Sequence, residues 1–272
     1  MNYGLSTSLF AEERLNSHIL DKILAAGLRH LEIMAARQHL DYHDVNQVRD
    51  VAHWFSDHAV TLHALHAPLF NDWNWGRSGG LLISVANLER RARIASMDEI
   101  KRAIEVAEHL PFRYLVLHLG VPDEEYDLNK FDAAFTSLEH LNLFAKERGA
   151  QILLENIPSA LSAPERMLTF FQYTRLDLKV CFDTGHAHLT GGVQPAFHTL
   201  KDHIAAVHLH DNRGEKDEHL LPFEGAIDWA QTMRDVRSLG VEFPFLFEVN
   251  SERHDPGLLG RLPEVMARLE EF

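Results

Sequence analysis

The chain has 272 residues, 46% of them hydrophobic, which is enough to bury a large core, and its one cysteine, Cys181, excludes an internal disulfide and points to a reducing compartment. With 40 acidic against 26 basic residues the formal net charge is −14, which argues against a general polyanion-binding surface but leaves room for a local basic groove. No apolar run approaches the roughly 20 residues of a membrane helix, and Met1-Asn2-Tyr3-Gly4-Leu5 has neither the basic nor the apolar region of a secretory signal, so a soluble cytoplasmic protein without membrane contact is expected.

Short apolar runs read as strands and longer stretches of 3.6-residue periodicity as helices. Tyr3 to Ser8 is a first strand, and Ala11 to Ala26 a helix stopped by Gly27. Arg29 to Met34 is a second strand, followed by a helix from Asp44 to His58. Thr61 to His66 is a third strand, closed by Ala67-Pro68. A long loop from Leu69 to about Asn87 carries Trp73 and Trp75, and a loop of that length is usually functional or disordered. The two tryptophans favour a functional loop, as part of a lid or substrate wall, with ordinary packing of the loop as the alternative.

A helix from Leu88 to Leu110 comes next, ended by Pro111, then a fourth strand from Tyr114 to Leu119 and a helix from Leu128 to Arg148. Gln151 to Ile157 is the fifth strand and Pro164 to Tyr173 its helix. Lys179 to Asp183 is the sixth, followed by a Gly-rich turn and a short helix from about Pro195. Ile204 to Leu209 is the seventh, with a polar loop to Gly225 and a helix from Asp228 to Leu239. Phe243 to Val249 is the eighth, and a last helix runs from Pro256 to the end. About eight strand–helix alternations without a linker imply a parallel sheet closed as a (β/α)8 TIM barrel, one domain over residues 1–272. An open doubly wound sheet would carry a Gly-rich phosphate turn after its first strand, and Ser6-Thr7-Ser8 is not one.

In such a barrel the active site lies where the strands end. Those ends carry His66, His118, Glu155, Asp183 with His186, His208 and Glu248, and the loop after the seventh strand adds Asp217 and His219. Each has a bland alternative when taken singly: a satisfied core histidine, a capping aspartate, a glutamate in a salt bridge. Their recurrence on nearly every strand from the third onward is the signal. Carboxylates gathered so closely repel one another unless cations intervene, and Asp, Glu and His are the usual ligands of divalent metals.

The motifs His66-Ala67-Pro68, Leu117-His118-Leu119-Gly120, Leu154-Glu155-Asn156, Asp183-Thr184-Gly185-His186, His208-Leu209-His210-Asp211, Asp217-Glu218-His219 and Glu248 span essentially the whole chain. With them it resembles the xylose isomerase-like TIM-barrel superfamily, which holds sugar isomerases and epimerases and the endonuclease IV group (AP endonuclease family 2). The resemblance implies a metal site at Glu155, Asp183, His208 and Glu248. In the trinuclear zinc branch Glu155 would bridge two metals, His66 and His118 would complete one of them, and His186, Asp217 and His219 would hold a third. Between one and three cations are expected, with zinc suiting the histidine-rich half and manganese or magnesium the carboxylate half.

Two activities follow. In a metal-dependent isomerase or epimerase of a small sugar or keto-sugar, a cation polarises the substrate carbonyl, and Glu155 and Glu248 take and return a proton. His186 or Arg213 would hold substrate oxygens, Phe70, Trp73 and Trp75 would cover an apolar sugar face, and Asn156 would join the substrate site. The alternative is an endonuclease IV-like phosphodiesterase cutting DNA at abasic sites, the one reading under which nucleic acid is a partner. Against it stand Asn156-Ile157-Pro158-Ser159-Ala160 in place of a Gly-Gln-Gly turn, His210-Asp211-Asn212-Arg213-Gly214 in place of Asn-Asp-Ser-Lys, and the lack of Lys and Arg clusters for phosphate tracking. A Gly often stands in these families where this chain has Phe223, which affects the shape of that loop. A sugar-binding barrel without catalysis is a third reading, one that gives little reason for so many ligands.

Overall fold

The computed structural model describes residues 2–240, 243–250 and 257–272. Its strands are Tyr3–Ser6 (β1), His30–Met34 (β2), Thr61–His66 (β3), Tyr114–His118 (β4), Gln151–Glu155 (β5), Lys179–Asp183 (β6), Ile204–Leu209 (β7) and Phe245–Phe247 (β8). Each pairs in parallel with the next, and β8 pairs back with β1, so the sheet closes on itself. The helices between them are Ser17–Ala25 (α1), Val45–Asp57 (α2), Arg90–Glu105 (α3), Leu128–Lys146 (α4), Pro164–Tyr173 (α5), Thr184–Leu189 (α6), Val193–Leu200 (α7), Trp229–Arg237 (α8) and Leu258–Glu270 (α9). This is the expected (β/α)8 TIM barrel.

Alternation along the strands divides the core in two. One face, with Leu31, Ile33, Leu115, Leu117, Ile152 and Leu154, packs against the helices in one extended cluster. The other fills the barrel interior with smaller groups, Ala64, Val116, Cys181 and Ala206 beside Tyr114 and Leu153. Two strands change faces part-way. The register slips by one residue where β2 meets β3, leaving His63 as the extra residue, and again where β6 meets β7, leaving Ala205. Leu62 and Ile204 below these bulges join the helix-facing core, whereas Ala64 and Ala206 above them face the interior. Past the bulges His66 stands beside Met34, and His208 beside Asp183.

Where boundaries differ from the sequence reading, local capping explains it. The first strand stops at Ser6, and Thr7–Phe10 turn into a 3-10 segment rather than extending to Ser8. The helix expected from Ala11 begins at Ser17, because the Asn16 side chain accepts the Ile19 N–H and starts the helix there. The third helix starts after Glu89, whose carboxylate caps Arg91 and Ala92, and its end tightens into a 3-10 turn over Val106–Glu108. The fourth helix ends at Lys146 rather than Arg148, and the fourth, fifth and eighth strands are shorter than expected. The Gly-rich turn expected after the sixth strand is instead the helix α6, started by Asp183 as its N-cap. Pro256, the expected start of the last helix, lies outside the described residues, within which α9 begins at Leu258.

The long loop after β3 has its own scaffold. Phe70 and Leu82 form an antiparallel bridge, and the Asp72 carboxylate accepts the backbone N–H groups of Gly76, Ser78 and Gly80. Gly76 has φ 84° and a Cβ there would run into the Phe70 ring, so the turn needs glycine on both counts. Among the described residues no helix is long and apolar enough to cross a membrane.

Candidate metal centre

Glu155 ends β5 as a fully buried carboxylate ringed by four imidazoles. Its Oε2 lies 3.2 Å from His66 Nε2 and 3.1 Å from His118 Nε2, and its Oε1 lies 3.3 Å from His208 Nδ1 and 3.4 Å from His186 Nδ1. Glu248, just past β8, brings Oε2 to 2.9 Å from the same His208 Nδ1. Asp183, at the end of β6, is fixed from several directions. Its backbone exchanges two hydrogen bonds with the Asn156 side chain, at 2.8 and 2.9 Å, and its Oδ1 accepts the His186 N–H at 2.7 Å. Asp183 Oδ1 also lies 2.9 Å from His210 Nε2. The remaining oxygen, Oδ2, faces His208 Nδ1 at 3.8 Å.

The loop after β7 supplies the outer part. Asp217 Oδ2 lies 3.0 Å from His186 Nε2 and 3.2 Å from His219 Nε2, and the His210 and His219 rings stack at 3.9 Å. Asp211 holds this loop in place: fully buried, it accepts the N–H groups of Asn212, Phe223 and Ile227 and the indole N–H of Trp229. Phe223 is left-handed, with φ 76°, at the position the sequence marks as a common glycine. Its ring lies under the Arg268 guanidinium at 3.9 Å, a contact a glycine could not make.

The nine positions expected to ligate metal therefore converge at the strand ends. Among the described residues they and His210 form three groups: His66, His118 and Glu155; Glu155, Asp183, His208 and Glu248; and His186, His210, Asp217 and His219. Within each, one ligand atom per residue lies within 4.8 Å of every other. Asp183 Oδ2, Glu248 Oε2, His186 Nδ1 and both ring nitrogens of His210 are buried without a partner of hydrogen-bonding geometry among the described residues. Buried acceptors turned on one another in this way fit divalent cations, which satisfy carboxylate and imidazole lone pairs together. Three carboxylates and one imidazole make the middle group a hard donor set, while the two flanking groups are nitrogen-rich.

Charge is shared by protons when no cation is bound. Burial alone would raise the Glu155 pKa, but hydrogen bonds from His118, His186, His208 and His66 hold it well below the usual carboxylate range. Burial likewise pulls His66 and His219 down, yet Glu155 in the one case and Asp217 in the other carry them up to about 9. Metal ligation needs a neutral imidazole. A cation at either flanking group must therefore displace a proton at any pH below about 9. Affinity for zinc is expected to rise steadily from pH 6 to pH 9 with protons released on binding, which calorimetry in buffers of different ionisation heat measures; pH-independent affinity would show that these imidazoles are not ligands.

The cavity above these groups holds about 570 Å3. His66, His118, Glu155, His186, Asp217, His219 and Glu248 reach its surface; Met34, Leu69, Trp75, Ile157 and Leu189 give it apolar walls; and Lys216 is the one Lys or Arg among its described lining residues. Of the expected substrate contacts only Trp75 and His186 line this cavity. Phe70 packs against Gly76 inside its loop, Trp73 is 47% exposed with Arg37 over its ring, Asn156 spends its amide on Asp183, and Arg213 pairs with Glu218 at the surface. Both nitrogens of His186 already face carboxylates. Glu32 and His210 are not among the ligands expected from the sequence, His210 standing there only within a motif. Glu32 is a charge inside an apolar strand, and His210 follows His208 by two residues, on the same side of an extended chain.

A family model described as a xylose isomerase-like TIM barrel matches residues 20–269. An uncharacterized protein of Methanocaldococcus jannaschii is 27% identical over 244 residues, covering 88% of this chain and 89% of its own. A probable endonuclease 4 of Natronomonas pharaonis is 26% identical over 201 residues, 65% of this chain and 70% of its own. Among solved structures, a D-tagatose 3-epimerase-like protein superposes with TM-score 0.80 at 24% identity, covering 100% of this chain and 99% of the other. The IolI protein with a bound zinc atom superposes with TM-score 0.81 at 17% identity, covering 99% and 98%. At these identities the two structures share the fold.

Proposed function

The chain belongs to the xylose isomerase-like TIM-barrel family, and from that premise we propose that it is a divalent-metal-dependent isomerase or epimerase of a small sugar or keto-sugar. The observation that carries the reading is the shape and lining of the cavity. About 570 Å3 suits one small molecule. Its floor is acidic and imidazole-rich, its walls are apolar, and a single described Lys or Arg, Lys216, is too little to track a phosphodiester backbone. Sugar epimerases share this fold, as does a zinc-bound protein, and the proposal takes its reaction class from that company.

Glu155, Asp183, His208 and Glu248 would hold a cation, with His66 and His118 on one side and His186, Asp217 and His219 on the other available for more. Bound there, a divalent cation supplies positive charge that polarises a carbonyl and acidifies the neighbouring C–H. Glu155 and Glu248 reach the cavity from β5 and β8 and meet a substrate from two directions, so one can take the proton from carbon and the other return it. Glu248 is the freer of the two, because both oxygens of Glu155 are already engaged by imidazoles. His186 stands between the groups, where it would fix a substrate oxygen, and Trp75 with Leu69 would cover the apolar face of the sugar and exclude water.

The abasic-site nuclease remains the second reading because the three ligand groups are all present and a probable endonuclease 4 is among the relatives. Metal-loaded protein incubated in deuterium oxide with a panel of keto sugars is expected to incorporate deuterium at a sugar carbon and to leave an abasic-site duplex intact. Cleavage of the duplex without exchange into any sugar would reverse the assignment.

A further inference from the structure

Glu32 lies in the middle of β2, in the run His30-Leu31-Glu32-Ile33-Met34, and is fully buried in the barrel interior. A carboxylate buried in an apolar strand is strongly unfavourable unless something specific engages it. What engages it is the distal nitrogen of His208, three strands away around the barrel: Glu32 Oε2 lies 3.0 Å from His208 Nε2, and both side chains are 0% exposed. Glu32 Oε1 has no hydrogen-bond partner among the described residues, so this contact is what its carboxylate offers the fold.

The other nitrogen of the same ring, Nδ1, is the one that faces Glu248 at 2.9 Å, Glu155 at 3.3 Å and Asp183 at 3.8 Å. A neutral imidazole carries one N–H and one lone pair, and a carboxylate can only accept. With a cation held among those three carboxylates, Nδ1 would present its lone pair to it and the hydrogen would belong on Nε2, where Glu32 accepts it. The ring is also fixed in rotation, because its two nitrogens are held from opposite sides.

We propose that Glu32 is a positioning residue for the middle ligand group: it accepts the His208 Nε2–H and so presents Nδ1, in the ligating tautomer, to a divalent cation held with Glu155, Asp183 and Glu248. The inference rests on the reading of that group as a cation centre, and goes beyond it by giving β2, which contributes no ligand, a part in the site. A carboxylate behind a ligating histidine orients the ring and strengthens its basicity, and loss of such a partner typically weakens metal binding by about 10–100-fold.

The test compares wild-type protein with Glu32→Gln and Glu32→Leu, each freed of metal by a chelator and titrated with zinc against a chromophoric competitor. Long-range proton–nitrogen spectra of the zinc-loaded proteins report the His208 tautomer, the resonance being assigned by its absence from His208→Gln. Wild-type protein is expected to show a single Nε2–H tautomer with zinc bound. Glu32→Leu is expected to lose roughly 10–100-fold in zinc affinity at this group and to show His208 in mixed tautomers. Glu32→Gln, whose amide oxygen can still accept and whose shape keeps the fold if leucine does not, is expected to fall between. Both variants folded, with wild-type zinc affinity and one His208 tautomer, would overturn the inference alone. Wild-type protein that takes up no zinc would overturn the cation centre and the inference together.

Discussion

Glu155→Gln is expected to lower the rate of deuterium exchange into substrate by about 10³-fold or more, and to lose at least one equivalent of bound metal by elemental analysis. The argument is the crowding around one side chain. His66, His118, His186 and His208 all approach the two oxygens of Glu155 within 3.4 Å, so the residue belongs to two ligand groups at once. An amide carries no charge to hold those imidazoles, and its nitrogen presents hydrogens where a cation needs a lone pair. The effect should therefore exceed that of removing His66 or His118, each of which serves one group. Glu155→Gln protein with full metal content and exchange within tenfold of wild type would remove Glu155 from the centre of the scheme.

Asp211→Ala is expected to destabilise the chain by about 4 kcal/mol, lowering the thermal unfolding midpoint by roughly 10 °C. Four donors converge on this buried carboxylate: the backbone N–H groups of Asn212, Phe223 and Ile227, and the Trp229 indole. Removing the acceptor leaves them buried and unpaired, each at a cost of about 1–3 kcal/mol before relaxation. The same residue pairs through its backbone with Leu220, closing the loop that carries Asp217 and His219. Scanning calorimetry should show the loss of stability, and the variant should hold less metal at the outer group even at temperatures where it remains folded. A midpoint within 2–3 °C of wild type, corresponding to about 1 kcal/mol, would mean that the loop is held by its apolar contacts instead.

The strand ends were legible because an apolar run that stops at Asp, Glu or His, as those from the third onward do, is conspicuous, and eight apolar runs in alternation with helices leave few folds to choose from. His66, Glu155, Asp183 and His208 fall in the last residues of their strands or at the ends themselves. What misled was side-chain direction in loops. Asn156 follows Glu155 directly, and alternation sends consecutive side chains to opposite faces; its amide accordingly turns away to grip Asp183 while Glu155 enters the cavity. Trp73 and Trp75 lie in a turn, where no strand alternation brings residues two apart to one side, and only Trp75 meets the cavity. Arg213 found a nearer partner in Glu218. Glu32 was passed over because a single charge in a strand carries no motif, and its partner lies 176 residues away.

The extra residues His63 and Ala205 let β3 and β7 turn one face to the helices at the foot and the opposite face to the bore at the top. Below the extra residue Leu62 and Ile204 serve the scaffold, while above it Leu65 and Val207 still face the helices and His66 and His208 reach the site. Without the bulge, regular alternation over the same residues would put Ile204 and His208, four apart in sequence, on one side. Either a bulky isoleucine would then have to enter a bore lined by alanines and a cysteine, or the imidazole would have to swing out among the helices. Excising Ala205 itself would leave Ile204 and His208 an odd number of residues apart, so plain alternation would still send one to the helices and the other to the bore.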